Sequence, residues 1–320
     1  MKAGNDKGAA LLTVLLLVAV MSALIAVSFD RVSLAIHRER NRSSSDEVRL
    51  NLISAEAIAI SRIDQLTASN SRSGEWQGRS ITVPVPSGTI RARLRDGGNC
   101  FNLNALVSPL PDGRYVAQPV AIVQFARLLQ LSGMAAGNAA SLAHASTDWI
   151  DSDGIALPGG AEDSYYTRLA NGYRTANRIM VDKSEWRAVA GVTADLYNQI
   201  APLLCALPDQ KLPGYNINTL SPGQSPLIAA ILPASVSAEQ VRIALANRPA
   251  GGFDSAQAFL SQPSLRGALP PGEASIQLQT RSSWFQLELL GSLSDFSLSE
   301  TALIDGRLRP ARLVRRSYGE

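Results

Sequence analysis

Histidine and cysteine are scarce in this chain, with two of each among 320 residues. His37 and His144 are not accompanied by a Gly-x-Ser-x-Gly turn, so the histidine-assisted nucleophile of a hydrolase has no counterpart here. Cys100 and Cys205 leave two alternatives: one disulfide in an oxidising compartment, or two buried thiols. Net charge is only +3, and the arginines crowded at the end (Arg307, Arg309, Arg312, Arg315, Arg316) fit a solvated tail or the face of a final strand. That charge excludes the electrostatic footprint of a nucleic-acid binder. Proline is absent before Pro84, which permits one long N-terminal helix. Charge is absent from residues 9–29, and cations are absent from residues 148–163.

The two charge-free stretches carry most of the information. Residues 9–29 are apolar over about the 20 residues that a helix needs to cross a hydrocarbon core. The nearest small-x-small cleavage signal, Leu24-Ile25-Ala26, has a bulky leucine where a small residue is wanted, so the segment reads as a retained membrane helix rather than a signal peptide. Orientation stays open. Arg31, Arg38, Arg40 and Arg42 follow the segment and Lys2 and Lys7 precede it, which literally places the bulk of the chain in the cytoplasm. Asp30, Glu39, Asp46 and Glu47 offset that bias, and the cysteine pair points to an oxidising side.

Beyond the apolar run, Val48, Leu52, Ala55, Ala59, Ile63 and Leu66 recur at three- and four-residue steps and predict the buried face of a continuing helix, with Ser43-Ser44-Ser45 as the one place for a break. Residues 70–78 read as loop. Period-two alternation at Ile81, Val83, Val85 and again at Ile90, Ala92, Leu94, with Ser87-Gly88 between, predicts a hairpin. Pro84 and Pro86 confine its first strand to a sheet edge. Arg91, Arg93 and Arg95 fill the outer face. Helices are predicted over 120–131, 139–150, 184–190, 193–204, 225–232, 238–246 and 255–260, and strands over 284–290, 301–305 and 311–316. The fold class is therefore α+β: a long helix and a small antiparallel sheet, split by a helical insertion near residues 105–272.

Asp148, Asp151, Asp153, Glu162 and Asp163 form the cation-free cluster. Carboxylates gathered without cations repel, and a bound hard dication removes that repulsion. Asp151-Ser152-Asp153-Gly154 resembles part of an EF-hand loop, but with Gly154 sixth the first position is Trp149 and the twelfth is Gly160, so the register fails. The alternatives are an irregular oxygen site for calcium and a solvated acidic loop. Asp182 and Asn177 are candidates for a second site, and His144 with Asp148 is a candidate ligand pair four residues apart on a helix. Gly191-Val192-Thr193 before a helix resembles a helix-hairpin-helix unit, which makes a membrane-anchored DNA-binding protein the alternative function. Thr193 in place of the second glycine, and acids matching Arg187, Lys211, Arg242 and Arg248, speak against it.

Lys7-Gly8 followed by Ala9 and a long apolar helix is similar to the leader of type IV pilin-like proteins. Those proteins usually carry Phe first and Glu fifth after the cut; here the residues are Ala9 and Thr13. Cys100-Phe101-Asn102-Leu103-Asn104, Asp148-Trp149-Ile150-Asp151, Glu162-Asp163-Ser164-Tyr165-Tyr166, Ser184-Glu185-Trp186-Arg187 and Asn216-Ile217-Asn218-Thr219 resemble, in order and spacing, the protein K family of minor pseudopilins of the type II secretion system. The resemblance implies a leader over 1–8, cleavage between Gly8 and Ala9 by a prepilin peptidase, methylation, and an assembly helix over 9–29. It implies a pilin-like domain over 30–104 and 273–320 and an α-helical domain over 105–272. It further implies structural calcium, minor pseudopilins I and J as partners, no enzymatic activity, no nucleic acid and no small-molecule substrate. The soluble domain is then periplasmic, with the N-terminus on the cytoplasmic side of the inner membrane. Thr13 then marks the tip, since it leaves no carboxylate to neutralise the amine of a subunit above.

Overall fold

With no proline to interrupt it, a single helix, α1 (Asp6–Ala68), runs from the uncharged segment into the soluble part without breaking at the three serines. The computed structural model describes residues 6–68, 74–86, 88–268, 272–293 and 296–319. The first five residues of the expected leader, residues 69–73 of the expected loop and Ser87 of the expected turn lie outside the described residues. At 63 residues, α1 is about 95 Å long. From Gly8 to Glu47 it buries nothing; Val48 is its first buried residue.

Five antiparallel strands follow the chain order: β1 (Ser80–Val85), β2 (Gly88–Asp96), β3 (Trp284–Leu293), β4 (Phe296–Asp305) and β5 (Arg312–Gly319). β1 is an edge, where Pro84 leaves no ladder bond unmade. Alternation sends Ile90, Leu287, Leu289, Ala302 and Ile304 to one face, where Val48, Leu52 and Ile63 of α1 meet them in a small core. The helix lies close over Gly291, where an added Cβ would sit 2.7 Å from a Val48 methyl carbon and 3.2 Å from Leu52 Cδ2. Gly291→Val is accordingly expected to cost about 1–3 kcal/mol by overpacking. A denaturant midpoint equal to that of the wild type would contradict this contact.

One polar residue lies on the same face of α1 and escaped the apolar pattern. Glu56, 5% exposed, accepts two bonds from the Arg316 guanidinium at 2.6 and 2.9 Å, which pins β5 to the helix. Glu300 on β4 stands 3.6 Å from the same arginine. Burial, and then the neighbouring Glu56, push the Glu300 carboxyl up to about 7.

Between β2 and β3 the chain leaves the sheet and builds a separate, mostly helical core. Residues 101–107 and Leu278 belong to that core, so its chain extends further each way than 105–272. Two helices, α2 (Pro119–Leu131) and α3 (Ala136–Asp148), pack Phe125, Leu128 and Leu129 against Ala139, Leu142 and Ala143. Trp186, wholly buried, donates its indole N–H to Ser146 Oγ at 2.9 Å. Short helices complete the layer: α4 (Asp163–Tyr166), α5 (Ala194–Ile200), α6 (Ser225–Ile231), α7 (Ala238–Ala246) and α8 (Ala256–Leu260). The helix expected at 184–190 is a 3₁₀ segment, Lys183–Ala188, and that expected at 193–204 turns 3₁₀ at Ala201, where Pro202 follows.

The two asparagine motifs prove to be copies of one device. Phe101-Asn102-Leu103-Asn104-Ala105-Leu106 and Tyr215-Asn216-Ile217-Asn218-Thr219-Leu220 each begin with a two-residue parallel bridge, to Leu204–Cys205 and to Leu278–Gln279. In each the second asparagine is buried and clamps a distant backbone. Asn104 bonds Met180 N–H and the carbonyls of Met180 and Leu207; Asn218 bonds the N–H and carbonyl of Phe253. Each amide thus saturates buried main-chain groups that no ladder reaches.

Candidate functional site

Cys100 and Cys205 form a disulfide. With Cys100 four residues past the end of β2, the bridge ties the start of the insertion to the Leu204–Cys205 segment. Attachment to the sheet comes from Leu207 and Cys205, which pack on Trp284 and Leu303.

The acidic cluster lies where α3 ends and an irregular loop returns to α4. Asp148, fully buried, accepts N–H bonds from Leu157 at 3.2 Å and Ala161 at 2.8 Å and so shapes the loop. Gly160 makes that approach feasible, since a Cβ there would fall 2.0 Å from Asp148 Oδ2. Asp163 is likewise engaged elsewhere: Thr175 donates N–H and O–H to it at 2.9 and 2.8 Å, holding its carboxyl below the usual range. The remaining three acids converge. Asp151, Asp153 and Glu162 bring carboxylate oxygens within 4.8 Å of one another.

Asp151 is 2% exposed and Glu162 4%, yet Asp151 Oδ1 and both oxygens of Glu162 have no hydrogen-bond partner. Burial pushes Asp151 up to about 7, with Asp153, Asp148 and Glu162 adding to it; burial and Asp148 push Glu162 up to about 7 as well. Unpartnered buried carboxylates are costly. Oxygens bound to one calcium at 2.3–2.6 Å lie up to about 5 Å apart, the spacing found here. The donor set therefore fits a hard dication. Next to Asp148 in the chain, the Trp149 ring meets Tyr166 at 5.2 Å and Tyr173 at 6.0 Å.

The other candidates are spent structurally. Asp182 caps the 3₁₀ segment by accepting Ser184 N–H at 2.9 Å, and Asn177, at φ 46°, turns the backbone in the left-handed region. Both lie outside the converging trio. His144 Nδ1 is 2.7 Å from the Pro158 carbonyl oxygen, which makes the histidine a brace for the same loop rather than a ligand paired with Asp148. In the helix-hairpin-helix candidate, Thr193 Oγ1 caps α5, Arg242 is held by Glu239 at 2.6 Å, and Arg248 donates to the carbonyls of Ile217 and Leu220. Arg242 and Arg248 are thus engaged within the chain, and no geometric observation supports the DNA-binding alternative.

The second functional element is the exposed end of α1. One window of it has a mean hydropathy of 2.9 with none of it buried, enough in length and composition to cross a membrane. Thr13 turns its hydroxyl back onto the Ala10 carbonyl at 2.9 Å. The helix surface therefore presents no carboxylate at that position.

Two profiles described as "Type II secretion system (T2SS), protein K" match residues 99–209 and 215–281, each beginning at one of the asparagine devices. Type II secretion system protein K of Klebsiella pneumoniae is 33% identical over 98% of this chain and 97% of its own length. Its counterpart in Pectobacterium carotovorum is 32% identical over the same shares. A chain in the crystal structure of the GspK-GspI-GspJ complex from enterotoxigenic Escherichia coli superposes with a TM-score of 0.76 at 30% identity, covering 88% of this chain and 99% of that one. The chain belongs to the type II secretion system protein K family and acts as a minor pseudopilin in type II secretion.

Proposed function

We propose that this minor pseudopilin sits at the tip of the pseudopilus and starts or caps it in a complex with minor pseudopilins I and J. The observation that carries the reading is Thr13, whose side chain bonds its own helix and offers no carboxylate to the N-terminal amine of a subunit above. The bulk of the insertion works in the same direction, obstructing a neighbour on that side. The GspK-GspI-GspJ assembly of the similar structure supports the choice of partners. Before assembly, the apolar part of α1 anchors the chain in the inner membrane, with the leader cytoplasmic and the soluble domain periplasmic, where the Cys100–Cys205 bridge is at home. A prepilin peptidase cuts between Gly8 and Ala9, and the new N-terminus is methylated. Calcium, held by Asp151, Asp153 and Glu162, is structural and ties the loop after α3 to α4.

The role is tested by co-expressing the full-length chain with I and J from the same organism and purifying through a tag on I. A stoichiometric complex retaining this chain is expected, with less of it when Thr13→Glu competes for a place lower in the filament. Recovery of I and J without this chain would overturn the tip reading.

A further inference from the structure

A small polar cavity of about 200 Å³ opens at the seam where three parts of the molecule meet: the end of α1, the start of β3 and the insertion. Leu66 and Thr67 enter it from the helix, Asn216 and Thr219 from the second asparagine device, and Gly306 and Arg309 from the β4–β5 turn. Trp76 and Phe285, with ring centroids 5.3 Å apart, form its apolar wall. No carboxylate lines it, and three arginines do.

The charge balance distinguishes those arginines. Arg307 is consumed: it is bonded to Asp305 at 2.8 and 2.9 Å and to Asp209 at 2.5 Å, and it stacks on Trp284. Arg281 has no hydrogen bond or ion pair in the described residues, and Arg309 has only a 3.4 Å bond to the Thr67 carbonyl. Asp64 accepts the Ala311 N–H at 2.8 Å, and Asp96, which touches the lining residues Thr219 and Ser282, is already bonded by their hydroxyls and by Gly98 N–H. Burial raises its pKa, so its negative charge is disfavoured. Two exposed arginines with no ion pair among the described residues thus line one partly open polar space.

We infer that this cavity is a binding site for a carboxylate group, held by Arg281 and Arg309 against the Trp76 wall. Guanidiniums match carboxylates with paired N–H donors, and partial enclosure strengthens the bond relative to open water. Size narrows the ligand. The cavity is smaller than the several hundred Å³ of nucleotide-sized or drug-sized pockets, but it holds an acidic side chain or a short free dicarboxylate. A carboxylate bound here touches helix, sheet and insertion at once.

The test is calorimetric titration of the full-length chain in detergent at low salt, in two arms: sodium succinate for a free carboxylate, and a glutamate-rich hexapeptide for a presented side chain. Saturable binding is expected in at least one arm, weakened tenfold or more in Arg281→Gln/Arg309→Gln and partly in Arg281→Gln alone. Because the Arg281 side chain makes no hydrogen bond or ion pair among the described residues, the melting temperature of the single variant should match that of the wild type. Binding of succinate alone assigns a free ligand, and binding of the peptide alone assigns a partner's side chain. No saturable heat in either arm, or equal binding by the double variant, would overturn the site.

Discussion

Gly8→Val is expected to leave the chain uncut, membrane-bound and inactive in secretion. A Cβ at Gly8 meets no atom within 4 Å, and the position is exposed on a helix, so valine disturbs nothing in this chain. Valine is also a better helix former than glycine. Any loss must therefore arise outside this molecule, in the peptidase pocket that reads the last leader residue, where a branched side chain replaces a hydrogen. N-terminal sequencing of the membrane-extracted wild type should begin at Ala9; the variant should retain the leader, with exoproteins held in the periplasm. A variant that still begins at Ala9 would sink the processing step. A wild type beginning near Val27 would mean ordinary signal-peptide removal.

Calcium removal is the second large effect. If the ion is present at 1,000 times its Kd, it stabilises the folded chain by about 4 kcal/mol. Its removal then lowers the melting temperature by roughly 8–16 °C at the slope usual for larger domains. The pH dependence has opposite signs in the two states. Without metal, Asp151 and Glu162 have folded pKa values pushed up to about 7, from 3.8 and 4.5. Their protonated forms favour the folded state, and that stability is lost as pH rises through 7. The chelated protein should therefore melt lower at pH 8 than at pH 5. With calcium bound the ionised forms are the ligands, so protection should be greatest at pH 8 and fade towards pH 5 as protons compete. Metal analysis that finds no calcium, together with melting curves that chelation does not move, would leave the loop as solvated acid. Asp163→Asn and Asp151→Asn separate the roles: the first should keep calcium affinity, the second should lose most of it.

The framework of the fold was legible because it rests on periodicity. The α1 stripe, the β1–β2 hairpin and the later strands all follow from which side chains face a core. What periodicity cannot see is a polar residue inside that pattern. Glu56 sits in the stripe as though it were solvent-facing, and only its partner Arg316, distant in sequence, explains its burial. Composition located the acidic cluster but could not sort it, because the choice depends on which backbone N–H groups reach Asp148 and Asp163 first. The repeated device at residues 101–106 and 215–220 was present in the sequence as two [FY]-N-[LI]-N-[AT]-L strings, and aligning the chain with itself would have found it. The carboxylate cavity had no sequence signal, since Arg281, Trp76 and Arg309 meet only through the sheet.

The insertion leaves and rejoins the sheet at neighbouring residues: Asp96 pairs with Phe285, and Gly97 N–H bonds the Trp284 carbonyl at 2.9 Å. Mechanically this makes it a pendant on a closed neck. Force carried along α1 can pass into the strands through Glu56, Gly291 and the small core and cross β2 to β3 directly, while residues 97–283 meet the sheet at its flank through Leu207, Cys205 and the Asp209–Arg307 ion pair. At the proposed tip position, a push along α1 would therefore not stretch the asparagine clamps, the disulfide or the loop that would hold calcium.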